Sequence, residues 1–295
     1  MVKPPVVLLH GMWSTGRTLD PVRHALEARG YRVFSPTLPM HPPAGPVELD
    51  ALGRLSMSDY AEFLAGSIAG AGFDAPPVLI GHSMGGLLAQ MLAARMPTRA
   101  TVLIAPAPPA GVQAVRWKNL LATRNVISTP GFWRRAHRPP AALADWGLLH
   151  GVSEPRRSEI RNTLLPESGR AYAEIVFWWL DRARATRVDA QEIRSPMLIM
   201  TGERDRVIPA SVVRRVAARY EQSELLIFPE RGHWLFEEIG AEEVLVRLSC
   251  WLDLVCAVTD THGEPRHAQP TPADPAMPAN ARLRSPRERI AHSNR

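Results

Sequence analysis

Short apolar runs alternate along this chain with longer stretches in which apolar side chains recur at helical spacing. A strand buried on both faces of a parallel sheet has a nearly continuous apolar sequence. Strands are predicted at 6–9, 32–35, 78–81, 100–104, 197–200 and 225–228, and helices at 20–30, 56–71, 87–96, 210–220 and 237–258. This alternation predicts an α/β fold, in which a doubly wound, mostly parallel sheet carries helices on both faces.

The alternation is interrupted once and ends before the last residues. Residues 112–192 contain no strong strand pattern, and prolines and glycines divide them into short helical pieces, of which 167–185 is the longest. The expected organisation is a core in two parts, 1–111 and 193–258, with 112–192 as a helical insertion. Residues 259–295 hold six prolines and few large apolar groups, so we expect a disordered tail.

A serine lies at the sharpest predicted turn, between the strand at 78–81 and the helix that follows it. Gly81 and Gly85 flank Ser83 in the pattern G-x-S-x-G. A serine on a tight strand-to-helix turn has a strained backbone and needs small residues two positions to either side. The pattern favours a nucleophile elbow over the alternative, a glycine-rich turn that only allows close packing.

A serine hydroxyl becomes nucleophilic when a base removes its proton and an acid orients that base. The partners should follow later strands, because the carboxyl ends of parallel strands meet at one edge of the sheet. The loop after 197–200 offers Asp205 or Glu203, and the loop after 225–228 offers His233. His233 could instead be a buried structural histidine, and Asp205 is preferred over Glu203 by its position.

With these residues in place, the sequence resembles the α/β-hydrolase superfamily, in particular its serine esterases and lipases with a helical lid. The matching motifs are His10-Gly11, Gly81-His82-Ser83-Met84-Gly85, Gly202-Glu203-Arg204-Asp205 and Gly232-His233. Members of the family usually begin with two further strands, whereas five residues precede Val6 here. We therefore expect a shortened sheet of about six strands.

The resemblance implies a role for each matching residue. Ser83 would be the nucleophile, His233 the general base and then acid, and Asp205 the carboxylate that orients it. The backbone N–H groups of Met12 and Met84 would form the oxyanion hole, and the insertion would take the place of the lid. The expected activity is hydrolysis of carboxylic esters through an acyl-enzyme, without a metal or organic cofactor.

Other activities remain open at this point, because one fold supports many reactions. The same triad could act as a thioesterase or as a cofactor-free perhydrolase or haloperoxidase, and a non-catalytic, ligand-binding member is a further alternative. Trp13, His82, Trp178 and Trp179 are the candidate substrate-binding residues. They favour a small-molecule ester with an apolar acyl or alcohol group, although the two adjacent tryptophans could equally be packing residues.

Charge and composition narrow the possible partners and location. The net charge of +6 resides in residues 115–189, which hold 13 Lys and Arg against 7 Asp and Glu. No nucleic-acid-binding module is recognisable, so nucleic acid is not expected as a partner. No apolar run is long enough for a transmembrane helix, so stable membrane insertion is not expected. Cys250 and Cys256 are spaced for neither a disulfide nor a metal cluster, and a cytoplasmic location is predicted.

Overall fold

Six parallel strands form the main sheet of the structure, a computed structural model that describes residues 2–41, 48–114 and 124–261. The strands are β1 (Val6–Leu9), β2 (Val33–Phe34), β3 (Val78–His82), β4 (Ala100–Ile104), β7 (Met197–Gly202) and β8 (Ser223–Phe228). Their order across the sheet is β2-β1-β3-β4-β7-β8, and every neighbouring pair is parallel. The prediction of a parallel sheet of about six strands is confirmed.

Helices cover both faces of this sheet. The longer ones in the core are α1 (Asp20–Glu27), α3 (Met57–Gly70), α4 (Met84–Ala93), α8 (Ala210–Ala217) and α9 (Ala241–Thr261), and the short α2 spans Leu49–Leu52. Alternate strand residues enter different apolar clusters: Val6 packs with α1 and α9, and Val7 packs with α3, α4 and α8. This arrangement explains why the central strands are apolar throughout.

The strand register brings the loops of interest to one edge. Leu9 is paired with Gly81, and His82 with Ile104, so β1, β3 and β4 end side by side. On the other half of the sheet, Gly202 is paired with Phe228, so β7 and β8 also end together. The loops that follow β1, β3, β7 and β8 therefore share the carboxyl edge of the sheet, where α/β folds bind their ligands.

The segment between β4 and β7 contains small elements with turns between them. These are α5 (Arg124–Ile127), a 3-10 turn (Phe132–Arg134), β5 (Ala136–His137), a π-helical segment (Leu143–Leu148), α6 (Arg156–Thr163), β6 (Glu167–Ser168), α7 (Gly169–Val176), and 3-10 turns at Trp178–Leu180 and Ala190–Glu192. Residues 115–123 of the predicted insertion lie outside the described residues. The antiparallel pair β5–β6 was not predicted, because two-residue strands leave no periodic pattern.

The predicted helix at 167–185 is wrong in both its start and its end. Glu167 and Ser168 belong to β6, and α7 begins after Ser168, whose hydroxyl accepts the N–H of Ala171. The helix stops at Val176, because Phe177 has φ −116° and ψ 39°, outside the helical region. The chain then continues as a tight 3-10 turn, which changes the direction of the two tryptophans that follow.

At the other end of the chain, α9 runs to Thr261, three residues into the predicted tail, and the remainder of 259–295 lies outside the described residues. Among the helices that the structure describes, none has the length and apolar character to cross a bilayer. Cys250 is exposed, Cys256 is buried, and both are free thiols.

Candidate active site

Ser83 lies at a sharp turn between β3 and α4, in the strained backbone conformation φ 55°, ψ −120°. The two flanking glycines are required by close backbone approaches. A Cβ on Gly81 would collide with the carbonyl oxygen of Gly85, and a Cβ on Gly85 would collide with the carbonyl oxygen of Leu9. The G-x-S-x-G spacing therefore has a steric cause, and it presents the Ser83 side chain at the carboxyl edge of the sheet.

His233 and Asp205 form a buried pair beside this turn. The ring Nδ1 of His233 donates to Asp205 Oδ2 over 2.8 Å, and both side chains are completely buried. The other carboxylate oxygen, Oδ1, accepts the N–H groups of Val207 and Ile208, each at 2.8 Å. Three hydrogen bonds thus fix the carboxylate, and the carboxylate fixes the histidine ring in the tautomer whose Nε2 carries the lone pair.

Glu203, the alternative acid in the same loop, is placed elsewhere. Its side chain is about half exposed and forms an ion pair with Arg214 at 3.1 Å. The Nε2 atom of His233 is buried and has no hydrogen-bond partner in the part of the chain that the structure describes. Ser83 and His233 line the same cavity. Among the described residues, therefore, no hydrogen-bond donor occupies the lone pair of His233 Nε2.

His82 contacts the loop that carries His233 and also lines the cavity. Its Nε2 donates to the backbone carbonyl of His233 over 3.0 Å, and the two ring centroids are 4.9 Å apart. Burial, reinforced by the neighbouring His233, lowers the pKa of His82 well below its usual value. His82 is thus a neutral side chain that donates a hydrogen bond to the backbone of His233, and it also lies on the pocket wall as predicted.

The loop after β1 passes directly over Ser83. A Cβ on Gly11 would lie 3.0 Å from the Cβ of Ser83, which is tighter than nearly all real contacts. The backbone N–H groups of Met12 and Met84 have no hydrogen-bond acceptor among the described residues. Trp13 has a positive φ of 61°, and its indole N–H donates to the carbonyl of His137 in β5. Both Met12 and Met84 line the same cavity as Ser83.

His10 holds this loop in place. The N–H of Leu38 donates to His10 Nε2 over 3.0 Å, so the proton of the neutral ring is on Nδ1, which donates to the carbonyl of Gly11 over 2.9 Å. Burial, together with the neighbouring His41, lowers the pKa of His10 to about 4, although its hydrogen bond to Gly11 opposes the shift. His10 is neutral at physiological pH. Its ring accepts a hydrogen bond from the loop after β2 and donates one to the loop after β1.

A mostly apolar cavity of about 100 Å³ opens onto Ser83 and His233. It is lined by Gly11, Met12, Trp13, His82, Ser83, Met84, Ala107, Pro108, Ala114, Leu143, Leu148, Tyr172, Ile175, Val176, Val207, Ile208, His233 and Trp234. Trp13 and His82, two of the predicted substrate-binding residues, are on its wall. The insertion contributes Ala114, Leu143, Leu148 and one face of α7.

Trp178 and Trp179 do not line this cavity, and their prediction as substrate-binding residues is corrected. Both border a separate, more polar surface pocket with Arg184 and Arg187, and Trp179 is 46% exposed. The physical reason is the end of α7 at Val176: the last helical turn directs its own residues toward Ser83, and the 3-10 turn carries the tryptophans past the cavity.

Glu238 is a site residue that the sequence reasoning missed. Its buried carboxylate accepts the N–H of Gly232 over 2.6 Å and the N–H of Trp234 over 3.2 Å, which are the two residues on either side of His233. A carboxylate that binds both flanking amides restrains the backbone of the loop that carries His233. In the sequence, Glu238 is only an acidic residue five positions after His233, and this spacing does not distinguish a buried acceptor from a solvated surface charge.

Comparison with known proteins gives a consistent result. A model of the alpha/beta hydrolase family matches residues 6–247. A pimeloyl-[acyl-carrier protein] methyl ester esterase of Aromatoleum aromaticum is 28% identical over 248 residues, covering 79% of this chain and 92% of its own. A pyrethroid hydrolase of Sphingobium wenxiniae is 35% identical over 104 residues, which is 35% of each chain.

The fold is also that of a solved structure, the monoacylglycerol lipase of Paleococcus ferrophilus. The TM-score is 0.63 at 23% identity, and the match covers 86% of this chain and 96% of the lipase. Given the family match over most of the chain, together with the six-stranded sheet and the serine turn, this protein belongs to the alpha/beta hydrolase family.

Proposed function

We propose that this protein is a serine hydrolase that cleaves carboxylic esters. The observation that carries the proposal is the position of Ser83: it occupies a strained turn and shares a cavity with His233, whose Nδ1 is held by Asp205 at 2.8 Å. Relatives named as methyl ester esterases support ester cleavage as the reaction.

In the proposed mechanism, Ser83 Oγ attacks the ester carbonyl while His233 Nε2 accepts the hydroxyl proton. The imidazolium that forms is stabilised by Asp205. Negative charge develops on the carbonyl oxygen, and the N–H groups of Met12 and Met84 donate to it; such preorganised donors are worth about 3 kcal/mol each. His233 then protonates the departing alcohol, and an acyl-enzyme remains on Ser83.

Hydrolysis of the acyl-enzyme repeats these steps with water. His233 removes a proton from the water molecule as it attacks the acyl carbon, and the carboxylic acid leaves when Ser83 recovers its proton. These steps use no metal or organic cofactor. Residues 112–192 are proposed as the lid, because Leu143, Leu148 and α7 form part of the cavity wall.

The cavity indicates an apolar and short group next to the carbonyl. Its volume of about 100 Å³ is smaller than the roughly 150 Å³ of a cavity known to hold benzene. Apart from Ser83, the histidines and Tyr172, the lining side chains are apolar. An acyl chain of a few carbons therefore suits the cavity better than a long one or a charged one.

The proposal is tested with p-nitrophenyl esters of increasing acyl length and a fluorophosphonate probe. Wild type should hydrolyse the short esters and be labelled on Ser83. Ser83→Ala should lose labelling and about 10⁴-fold or more of kcat/KM. The matched control is Ser67→Ala on α3, which removes a hydroxyl that, among the described residues, bonds only to the carbonyl of Phe63.

The outcomes separate this proposal from its alternatives. Unchanged hydrolysis in Ser83→Ala would remove Ser83 as the nucleophile. Faster cleavage of a thioester than of the matched ester would identify a thioesterase, and peracid formation from acetate and peroxide at a rate above ester hydrolysis would identify a perhydrolase. If folded wild type were neither labelled by the probe nor active on any of these substrates, the proposal of a serine hydrolase would be refuted.

A further inference from the structure

A buried ion pair joins the core to the segment between β4 and β7. His41, in the loop after β2, has its Nε2 3.2 Å from Glu167 Oε2 in β6, and both side chains are fully buried. The other ring nitrogen, Nδ1, lies 2.9 Å from the carbonyl of Pro39. Both neighbours are acceptors, so the ring donates from both nitrogens and is a cation.

The charges of this pair are sustained by their surroundings. Burial is the largest single effect and opposes the charged form of His41, but the Glu167 carboxylate and the backbone carbonyls of Pro39 and Leu38 together outweigh it, and the pKa of His41 is raised. Burial likewise opposes the Glu167 carboxylate, but His41 and hydrogen bonds from Tyr60 (2.5 Å) and the Ser168 N–H (2.7 Å) outweigh it, so the pKa of Glu167 is lowered. A buried ion pair contributes little net stability compared with apolar packing, so stability alone does not account for the presence of this pair.

A short chain of hydrogen bonds leads from this pair to the loop above Ser83. The N–H of His41 donates to the carbonyl of Leu38 over 3.3 Å, which closes a tight turn. The N–H of Leu38 donates to His10 Nε2 over 3.0 Å, and His10 Nδ1 donates to the carbonyl of Gly11 over 2.9 Å. These hydrogen bonds connect His41 to the Gly11 carbonyl through Leu38 and His10.

The last link determines the direction of the Met12 N–H. The carbonyl of Gly11 and the N–H of Met12 belong to one planar trans peptide unit, in which the C=O and N–H groups point in opposite directions. A hydrogen bond that holds the Gly11 carbonyl on one side therefore directs the Met12 N–H to the other. Gly11 itself packs against Ser83, so a small rotation of this peptide would move the donor relative to the serine.

The same loop is held from its other side by neighbouring residues of the β5–β6 region. The N–H of Leu165 donates to the carbonyl of Trp13 over 2.8 Å, and the indole N–H of Trp13 donates to the carbonyl of His137 over 3.0 Å. Glu167 is two residues beyond Leu165 and pairs with His137 in the β5–β6 ladder. The β5–β6 pair is thus connected to the loop directly through Trp13 and indirectly through His41.

We propose that Glu167 and His41 are positioning residues for the oxyanion hole, which act through Leu38 and His10 on the direction of the Met12 N–H. This inference rests on the proposed function. The contribution of a directed N–H is realised when charge develops on the carbonyl oxygen, not when the substrate first binds. Disturbing the pair should therefore lower kcat and leave KM nearly unchanged.

The test compares four variants with wild type. Glu167→Ala removes the acceptor of His41, and His41→Asn is too short to reach Glu167. Glu167→Gln keeps an oxygen for Tyr60 and Ser168 and offers its amide to a neutral His41, so it is the conservative rescue. Asp145→Asn is the matched control, since it breaks an ion pair with Arg161 (2.8 Å) in the same insertion but away from the loop.

Three quantities are measured on each folded variant: kcat and KM for a short p-nitrophenyl ester, and the inhibition constant of a trifluoromethyl ketone, whose tetrahedral adduct on serine carries an oxyanion. We expect Glu167→Ala and His41→Asn to lower kcat by about tenfold to 100-fold and to weaken the ketone by the same factor. Their KM should stay within about twofold of wild type. Glu167→Gln should recover most of the loss, and Asp145→Asn should resemble wild type.

The inference is overturned if Glu167→Ala and His41→Asn change kcat and ketone affinity no more than Asp145→Asn does. It is also overturned if these two variants raise KM without weakening the binding of the ketone. Thermal unfolding identifies a variant that has lost its fold. If Glu167→Ala does not fold, the kinetics of His41→Asn are used to test the inference instead. Failure of the proposed function is separately visible, because wild type would then neither hydrolyse the ester nor be labelled at Ser83.

Discussion

Acidification should destabilise this protein through His10. The pKa of this buried histidine is lowered to about 4, chiefly by burial and then by His41, whereas in the unfolded chain it returns to about 6.5. Between these values the unfolded state binds more protons than the folded state. The free energy of unfolding therefore falls as the pH is lowered through this window and is unaffected by His10 above it.

The magnitude follows from the two pKa values. The two pKa values of His10 differ by about 2.5 units. If the pH fell through the whole window, the free energy of unfolding would decrease by roughly 3.4 kcal/mol. Part of this is expressed at an accessible pH: between pH 8 and pH 5, His10 alone should lower the free energy of unfolding by about 2 kcal/mol. For a protein with a total stability of about 5–15 kcal/mol, this is a large fraction.

Urea unfolding, followed by tryptophan fluorescence at pH 8 and pH 5, measures this effect. His10→Asn keeps an amide donor near the position of Nδ1 for the Gly11 carbonyl, although it is too short to accept the Leu38 N–H, and it does not titrate in this range. Its free energy of unfolding should change about 2 kcal/mol less than that of wild type between the two pH values. The control, His24→Asn, replaces an exposed histidine of α1 and should retain the wild-type difference. Equal pH dependence in wild type and His10→Asn would refute the reasoning.

Two further predictions concern the loop that carries His233 and the cavity. Glu238→Ala leaves the N–H groups of Gly232 and Trp234 without their acceptor, so we expect urea unfolding to show a loss of about 2–4 kcal/mol and ester turnover to fall about tenfold. Glu238→Gln, which keeps one oxygen, should lose less in both; an unchanged Glu238→Ala would contradict the role of the carboxylate. Ile175→Ala should enlarge the cavity and raise the ratio of kcat/KM for the hexanoate over the acetate ester by about tenfold, whereas Trp179→Ala should leave that ratio within about twofold of wild type. If this ratio changed more in Trp179→Ala than in Ile175→Ala, Trp179 would be identified as a residue of the substrate pocket.

Features set by local periodicity are predictable from the sequence. The central strands are buried on both faces, so they appear as continuous apolar runs, and the sheet of six parallel strands follows from their alternation with helices. The Ser83 turn is also predictable, because the steric requirement for Gly81 comes from Gly85 within the same five residues, although the requirement for Gly85 comes from Leu9 in the neighbouring strand. Ser56 and Asp59 likewise form a capping box at the start of α3, which their spacing in the sequence indicates.

The insertion is less predictable because its elements are short and lack a regular period. The sequence predicts a helix across 167–185, since Tyr172, Ile175 and Trp179 are compatible with one apolar face. The backbone of Phe177 leaves the helical region, so α7 ends before the tryptophans, and the Phe177 ring contacts that of Phe132 at a centroid distance of 6.2 Å. Propensity within a short segment does not specify such an end.

By itself, then, the sequence determined the order of strands and helices, the serine turn and the two loops that carry an acid and a histidine. Only the tertiary structure decided that Asp205 rather than Glu203 faces His233, that Glu238 binds the amides around it, and that Glu167 reaches His41. The last pair is separated by 126 residues along the chain. Backbone preferences act between neighbours in sequence, whereas these contacts exist only after the sheet has brought distant loops to one edge.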